Sequence, residues 1–163
     1  MDAATLLSRF PATQDLAGKD MPTFRVAGAD LLAAVRFLRD EQGFDLLADL
    51  CGAEWQDRPT RFGVVLHLLS TAGKEYVRLH VDAVNDRVPS VAALHPGANW
   101  HEREAFDMFG IVFEGHPDPR RILMWDGYPF HPLRKDFPLA GIEVPLPAAD
   151  VAAVTGQTVE PAP

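Results

Sequence analysis

Proline is concentrated at one end of this chain, and that distribution limits where regular structure can form. Of the 14 prolines, nine lie at or after position 117 in a chain of 163 residues. Proline removes a backbone donor and fixes φ, so a proline-rich stretch favours extended structure. We therefore predict an α+β domain over residues 1–113, followed by an extended partner-binding segment and tail over residues 114–163. The total length suits a single domain.

Hydrophobic patterns in the first two thirds, together with the absence of β-branched residues from positions 99–109, predict the elements of that domain. The predicted helices are a short one near the N-terminus, one capped by Asp30 and ended by Gly43, an apolar turn over residues 44–50, and one over residues 99–109 closed by Gly110. The predicted strands cover residues 23–27, 61–70, 75–82 and 111–113. Residues 61–70 are apolar on both faces and residues 75–82 alternate, which indicates a central strand beside a half-buried one. The pattern predicts a two-layer domain with a mixed β-sheet packed by helices.

Charge and cysteine content exclude several functional classes. The chain has 23 acidic and 15 basic residues and a formal net charge of −8, which is unsuited to holding phosphates or anionic lipid by bulk charge. Its single cysteine, Cys51, forms no intrachain disulfide and cannot alone build a four-thiolate zinc or iron–sulfur site. A lone cysteine suits a reducing compartment, and we expect Cys51 to be a small buried hydrophobe.

Neither a membrane span nor a secretory signal is visible in the sequence. The longest apolar candidate, residues 62–69, is of strand length, whereas a spanning helix needs roughly 20 apolar residues. The N-terminus has no basic stretch followed by an apolar one. We expect contact with a membrane to occur only through a partner.

Residues 97–139 are both apolar and densely charged, and proline interrupts them repeatedly. They read GANWHEREAFDMFGIVFEGHPDPRRILMWDGYPFHPLRKDFPL. This composition is unusual for a core or for a solvated face. It suits a segment that lies against another surface, with charged side chains paired across it and aromatic side chains filling pockets. Arg134, in particular, is expected to pair with a carboxylate of another chain.

Catalytic interpretations of this stretch receive little support. The helical zinc motif HExxH is incomplete, because position 105 is alanine. A metal site built from His101, His116 and His131 stays open as an alternative, although two of these histidines precede proline and favour a turn that holds the imidazole through a backbone group. General acid–base catalysis is the second interpretation, with Glu102, Glu104 and Asp107 as the neighbouring carboxylates. A salt-bridged helix face is favoured, with Arg103 and Asp107 four residues apart.

The same stretch resembles a known family. The run ANWHEREAFDMFGIVFEGHPDPRRIL, followed by HPLRKDFPL, is similar to the signature of the 30-kilodalton subunit of respiratory complex I. In bacteria this complex is the proton-pumping NADH:quinone oxidoreductase. The resemblance covers roughly residues 23–145 and is strongest over 97–139.

The resemblance implies a non-catalytic, cofactor-free subunit of the peripheral arm. Its C-terminal extension would lie along the large 49-kilodalton quinone-site subunit, with FMN and iron–sulfur clusters carried by partner subunits. The location would be peripheral, at the cytoplasmic face of the cell inner membrane. Two interface clusters are predicted: Glu102, Arg103, Glu104 and Asp107, and then His116, Arg120, Arg121, His131, Arg134, Lys135 and Asp136. Packing between helix and sheet is expected of Trp100, Phe106, Met108 and Phe109.

Two alternatives remain open from the sequence. Related subunits occur in membrane-bound hydrogenases, formate hydrogenlyase-type complexes and the photosynthetic complex that accepts electrons from ferredoxin. This subunit does not meet the electron donor, so its sequence does not name the complex. The second alternative is a stand-alone metal-dependent hydrolase that uses the three histidines.

Overall fold

The computed structural model describes residues 3–143, and the rest of the predicted tail lies outside these residues. The helices are α1 (Ala3–Arg9), α2 (Leu31–Asp40) and α3 (Ala98–Phe109), with a 3-10 turn at Gly28–Asp30. The strands are β1 (Gln14–Asp15), β2 (Thr23–Arg25), β3 (Leu46–Glu54), β4 (Phe62–Ser70), β5 (Glu75–Asp82), β6 (Arg87–Pro89) and β7 (Val112–Glu114). The predicted α+β class is confirmed. None of the described helices is both long and apolar enough to cross a bilayer.

Five strands form the main sheet in the order β1-β2-β5-β4-β3. Strands β3, β4 and β5 are an antiparallel meander, β2 pairs parallel to β5, and β1 pairs antiparallel to β2. A separate parallel pair joins β6 to β7. The sheet is therefore mixed, as the sequence predicted, and α3 packs against its edge strand β3.

The core lies between one face of the sheet and the helices. It contains apolar side chains from β4, β5, α2 and α3, among them Val64, Leu66, Leu68, Val77, Leu79, Leu31, Val35, Leu38 and Ala105. Burial of each large aliphatic side chain contributes about 1.5–3 kcal/mol. Asp30 precedes α2, but its side chain makes no capping hydrogen bond, so the predicted cap is not formed.

Strand β3 corrects one prediction, because the sequence there indicated a helical turn over residues 44–50. The ladder between β3 and β4 shifts register between Leu47 and Asp49. This bulge places Leu47 and Leu50 opposite Leu68 and Leu66, which both lie in the core. Two residues three apart on a regular strand would face opposite sides. The bulge therefore gives a strand the spacing that is typical of a helix.

The second face of the sheet is polar, and it corrects the prediction for Cys51. This cysteine is exposed, because it alternates with Leu50 and Gly52, which belong to the core side. The indole of Trp55 covers one end of the face, stacking on the His80 ring at 5.5 Å with an 11° interplanar angle. The guanidinium of Arg58 lies 3.6 Å from the Trp55 ring centroid. Burial, followed by the charge of Arg58, lowers the pKa of His80 to about 4.

Residues 115–143 contain no helix or strand in the described part of the chain, as the proline content predicted. They nevertheless return to the domain, because backbone groups of this segment bond to α3 and to its following residues. Division of the chain at residue 114 into two units stays a prediction. We call residues 115–143 the C-terminal segment below.

Candidate functional site

Helix α3 holds the predicted charged residues and organises their surroundings. Its 12 residues lack β-branched side chains, and Gly110 ends it with a φ of 78°, a left-handed conformation that glycine adopts without strain. The side chains of Glu102 and Asp107 are fully buried. The predicted cluster on this helix therefore divides into buried and exposed members.

Glu102 binds the loop that follows β6. Its Oε2 accepts a hydrogen bond from Ser90 Oγ at 2.6 Å, and its Oε1 accepts one from the Val91 N–H at 2.7 Å. Burial raises the pKa of Glu102 to about 7, although these hydrogen bonds oppose the shift. Glu102 is 0 % exposed within this chain. The structure gives it an intrachain role, and its place in a subunit interface stays a prediction.

A cavity of about 280 Å³ adjoins Glu102, with walls that include Phe106, Phe113 and Pro119. His116 lies beside it. The Nδ1 of His116 accepts a hydrogen bond from the Asp118 N–H at 2.9 Å, so Nε2 carries the ring proton and donates to the Asn99 carbonyl at 3.1 Å. The His116 ring is therefore held by backbone groups, which confirms the prediction for a histidine that precedes proline.

Asp107 is the most heavily bonded carboxylate of the site. Its Oδ2 accepts hydrogen bonds from three consecutive backbone N–H groups, at 3.1, 2.7 and 2.8 Å, from Ile122, Leu123 and Met124. Its Oδ1 accepts a hydrogen bond from the Arg121 guanidinium. Burial opposes the charge of Asp107, but these donors outweigh burial and hold its pKa below the ordinary value. Asp107 thus fixes the start of the C-terminal segment on α3.

Arg103 also binds the C-terminal segment, and this corrects the predicted pair with Asp107. Its guanidinium donates to the carbonyls of Arg120 and Arg121, at 2.9 Å in each case. The nearest carboxylate of Arg103 is Asp118, at 3.9 Å, whereas Asp107 pairs with Arg121. A guanidinium carries five donors in a fixed fork and can bridge two carbonyls of one turn.

The HPLR run caps the carboxyl end of α3. The last carbonyls of a helix have no partner within it. Here the Asp107 carbonyl lies 2.9 Å from His131 Nδ1, the Met108 carbonyl accepts the Leu133 N–H at 3.1 Å, and the Phe109 carbonyl accepts Arg134 Nε at 2.6 Å. His131 is again held by a backbone group, as predicted. Burial is the largest factor that lowers the pKa of His131.

Four of the predicted interface residues remain exposed: Glu104, Arg120, Lys135 and Asp136. Arg120 pairs with Asp118 at 2.7 Å, and Asp136 pairs with Arg61 at 2.9 Å.

Large apolar side chains are exposed on α3 and on the C-terminal segment: Trp100, Leu123, Leu133, Leu139 and Ile142. The prediction that Trp100 packs between helix and sheet is wrong, because Trp100 is 62 % exposed. Met108 is buried, and Phe106 and Phe109 pack against the core, as predicted.

Ser90, Arg61 and Glu54 were not among the residues that the sequence predicted for the site. Ser90 binds Glu102, and Glu54 accepts the Lys135 N–H at 2.7 Å and an Arg61 hydrogen bond at 2.8 Å. Their partners are 12, 81 and 7 residues away, and two of these bonds involve backbone atoms or a neutral hydroxyl. A pattern of charges along the chain carries no signal for such bonds.

The three histidines do not assemble into a metal site. Within residues 3–143, no group of three or more His, Cys, Asp or Glu side chains is placed to hold a metal ion. His116 and His131 face different carbonyls, as described above, and His101 lies 3.6 Å from Asp49. The arrangement around α3 is one of attachment, in which charged side chains fix backbone segments.

Comparison with protein families identifies this pattern. The family described as the 30-kilodalton subunit of respiratory-chain NADH dehydrogenase matches residues 24–143. The chain belongs to this family. The match includes α3, the HPLR run and the whole described C-terminal segment, so the signature predicted from the sequence and the attachment site coincide.

Named relatives agree with the family. An NADH-quinone oxidoreductase subunit of Rhizobium leguminosarum bv. trifolii is 51% identical over 124 residues, which cover 73% of this chain and 61% of the relative. The corresponding subunit of Phenylobacterium zucineum is 50% identical over 112 residues, covering 68% and 54%. The matches therefore span between half and two thirds of the length of these relatives.

Solved structures share the fold. A structure titled as Nqo5 of the trypsin-resistant fragment (1-134) has a TM-score of 0.62 and 31% identity, covering 72% of this chain and 99% of that one. A chain from the membrane-bound sulfane sulfur reductase, an archaeal respiratory membrane complex, has a TM-score of 0.70 at 21% identity, covering 98% and 92%. At this lower identity, the second likeness concerns the fold alone.

Proposed function

We propose that this chain is a non-catalytic subunit of the peripheral arm of a proton-translocating NADH:quinone oxidoreductase. The observation that carries the proposal is the attachment of a proline-rich, apolar segment to α3 by buried charged side chains. Such side chains hold the segment in one conformation, so its exposed apolar residues form a prearranged surface. Prearranged surfaces lose less conformational entropy when they bind. The family membership and the names of the relatives support a subunit of this enzyme.

The proposed partner is the large 49-kilodalton-type subunit, which carries the quinone site, together with its neighbouring iron–sulfur subunits. This chain would hold the quinone-binding module in position. FMN and the iron–sulfur clusters would belong to partner subunits, with no cofactor and no catalytic residue in this chain. Its place would be the cytoplasmic face of the cell inner membrane, with membrane contact only through the complex.

The predicted interface residues take two roles in this proposal. The exposed side chains of Glu104, Arg120, Lys135 and Asp136 would contact partner subunits. Most of the remaining residues would act through the bonds that hold the C-terminal segment in place: Arg103, Asp107, His116, Arg121, His131 and Arg134. Arg134 does so through Nε, and its terminal nitrogens would stay available to a partner. Glu102 would act indirectly by fixing the loop after β6. Loss of a residue of the second group would weaken assembly by loosening the segment.

Affinity purification of the tagged chain from solubilised membranes tests the proposal. We expect the large quinone-site subunit to co-purify with flavin and iron–sulfur subunits. Recovery of a nickel hydrogenase or a ferredoxin-dependent complex would assign the chain to a related machine. Recovery of the chain alone would overturn the proposal.

A matched pair of variants locates the attachment. Leu123 is 60 % exposed on the C-terminal segment, and Leu32 is 39 % exposed on α2. Leu123→Asp should reduce co-purification by about tenfold, because a buried interface leucine becomes an unpaired charge. Leu32→Asp should leave co-purification at the wild-type level. Equal recovery of both variants would show that the segment is not the contact surface.

A further inference from the structure

A groove of about 520 Å³ runs along the end of the C-terminal segment. Its lining includes Leu133, Phe137, Pro138 and Leu139. The groove is attached to the domain by the Leu133 N–H, which bonds to the Met108 carbonyl of α3. Within the segment, the Phe137 N–H bonds to the Arg134 carbonyl at 3.0 Å. Leu133 and Leu139 are well exposed. The groove therefore has an apolar wall in a defined shape.

Two cations line the same groove, Arg134 and Lys135. Neither has a carboxylate partner among residues 3–143, whereas most arginines there do. Arg134 uses Nε for the Phe109 carbonyl, and no hydrogen bond within the described chain occupies its two terminal nitrogens. The described bond of Lys135 is made by its backbone N–H, and no residue between 3 and 143 bonds to its ammonium group.

The carboxylates nearest to these cations already have partners. Asp136 pairs with Arg61, and Glu54 bonds both to Arg61 and to the Lys135 N–H. The rim of the groove is therefore locally positive on a chain whose net charge is −8. The net negative charge of the chain repels an acidic group, whereas the two cations of the groove attract it. This difference would fix the position and the orientation of an acidic partner on the chain.

We propose that the groove binds a segment of a partner subunit in which a carboxylate lies next to a large apolar side chain. The carboxylate would pair with Lys135 and with the free guanidinium nitrogens of Arg134, an arrangement suited to bidentate contact. The apolar side chain would cover Leu133 and Leu139. This inference rests on the proposed function, because it specifies the chemistry of the partner at the same surface.

Carbodiimide cross-linking of the purified complex tests the charged contact directly, because it joins a lysine ammonium to a carboxylate that it touches. We expect an isopeptide bond between Lys135 and an Asp or Glu of another subunit, next to an apolar residue, identified by mass spectrometry. A bond to this chain's own carboxylates, such as Asp150 or Glu160, would overturn the proposal. A bond to a second copy, detected by mixing isotope-labelled and unlabelled chains, would overturn it as well, as would no cross-link at Lys135.

Variants with matched controls test the groove independently. Lys135→Glu and Leu139→Asp should each lower the recovery of partner subunits by at least tenfold at 0.3 M salt, whereas Lys135→Arg should retain it. Lys74→Glu and Val84→Asp change an exposed lysine and an exposed apolar residue elsewhere and should have no effect. The far-UV circular dichroism of each purified variant should match the wild type, so that loss of recovery reports on binding.

The outcomes separate this inference from the proposed function. If the wild-type chain co-purifies with partner subunits and the groove variants do so equally well, the groove proposal alone is wrong. If the wild-type chain recovers no partner, both proposals fail. Recovery that falls for the groove variants and stays constant for the controls supports both.

Discussion

Charged side chains of the signature stretch bond to backbone groups more often than to one another. Arg103 and Arg134 donate to carbonyls, and Glu102 and Asp107 accept from backbone N–H groups. A hydrogen bond to a charged group contributes more to stability than one between neutral groups. Each of these residues therefore fixes a stretch of chain that forms no helix or strand because it is rich in proline.

Glu102 makes stability depend on pH around neutrality. Its pKa of about 7 in the folded chain lies above the value of roughly 4.3 in an unfolded chain. At a pH between these two values, the Glu102 carboxyl group keeps its proton in the folded chain but loses it in the unfolded chain. The free energy of unfolding therefore falls as the pH rises from about 5 to 7. The total loss across this range is about 4 kcal/mol, because one pKa unit corresponds to about 1.4 kcal/mol.

Glu102→Gln should remove this dependence, because the amide keeps an acceptor for Val91 and gains a donor for Ser90. Urea unfolding at pH 5, 6, 7 and 8 measures the free energy of unfolding of both proteins. The difference between wild type and variant isolates the effect of Glu102 from the effects of all other groups, which the two proteins share. Equal pH dependence in the two proteins would contradict the burial of a titrating carboxyl group.

Asp107→Asn should destabilise the chain by about 3 kcal/mol at pH 7, because it leaves Arg121 without its buried partner. The lowered pKa of Asp107 means that its contribution is present above about pH 4 and is lost as the pH falls below that value. Asp126→Asn is the control, since Asp126 is exposed. Similar urea midpoints for the two variants at pH 7 would refute the role of Asp107.

At the scale of elements, the approach of α3 to β3 depends on Gly52. A Cβ at this position would lie 2.6 Å from Cδ2 of Phe109, which is closer than van der Waals contact allows. The helix therefore rests directly on the backbone of the edge strand. This close approach brings the carboxyl end of α3 to the residues that cap it.

Gly52→Ala should lower the free energy of unfolding by about 1–3 kcal/mol, because the Phe109 ring must move. Adding Phe109→Leu should recover part of this loss, which a double-mutant cycle measures as a coupling energy. Gly97→Ala is the control, because a Cβ there meets no atom within 4 Å. Additive effects of Gly52→Ala and Phe109→Leu would exclude the direct contact.

Periodicity in the sequence predicted α2 and β5, because each of these elements buries one regular set of side chains. The apolar residues on both faces predicted β4 as a central strand, and the absence of β-branched residues predicted α3. It mistook β3 for a helical turn, because a bulge between Leu47 and Asp49 changes the spacing of the buried leucines. It identified Asp107 as important but paired it with Arg103. The actual donors lie 14 to 17 residues away and are mostly backbone N–H groups, which no residue pattern reveals.

At the scale of the whole molecule, the described part of the chain is held together across the predicted division at residue 114. Bonds from residues 121–134 to α3 join the C-terminal segment to a helix that itself packs on the sheet. Small domains with such contacts unfold in one transition. The sheet and the segment should therefore lose structure together.

Two single-tryptophan variants test this cooperativity. Trp55 lies on the sheet beside His80, and Trp125 lies in the C-terminal segment, 4.7 Å from the Tyr128 ring centroid. Replacement of the other two tryptophans by phenylalanine leaves one reporter in each region. The fluorescence of both should change at the same urea concentration. An earlier transition for Trp125 would instead favour the predicted division into two units.

The cap on α3 has a consequence for the order in which the chain is synthesised. Residues 98–109 leave the ribosome before residues 121–134, so the helix emerges with its final carbonyls open and with the Asp107 carboxylate lacking its donors. Only a chain translated beyond Arg134 can complete the helix end and shape the groove beside it. A prematurely terminated product would therefore lack both the completed helix end and the groove.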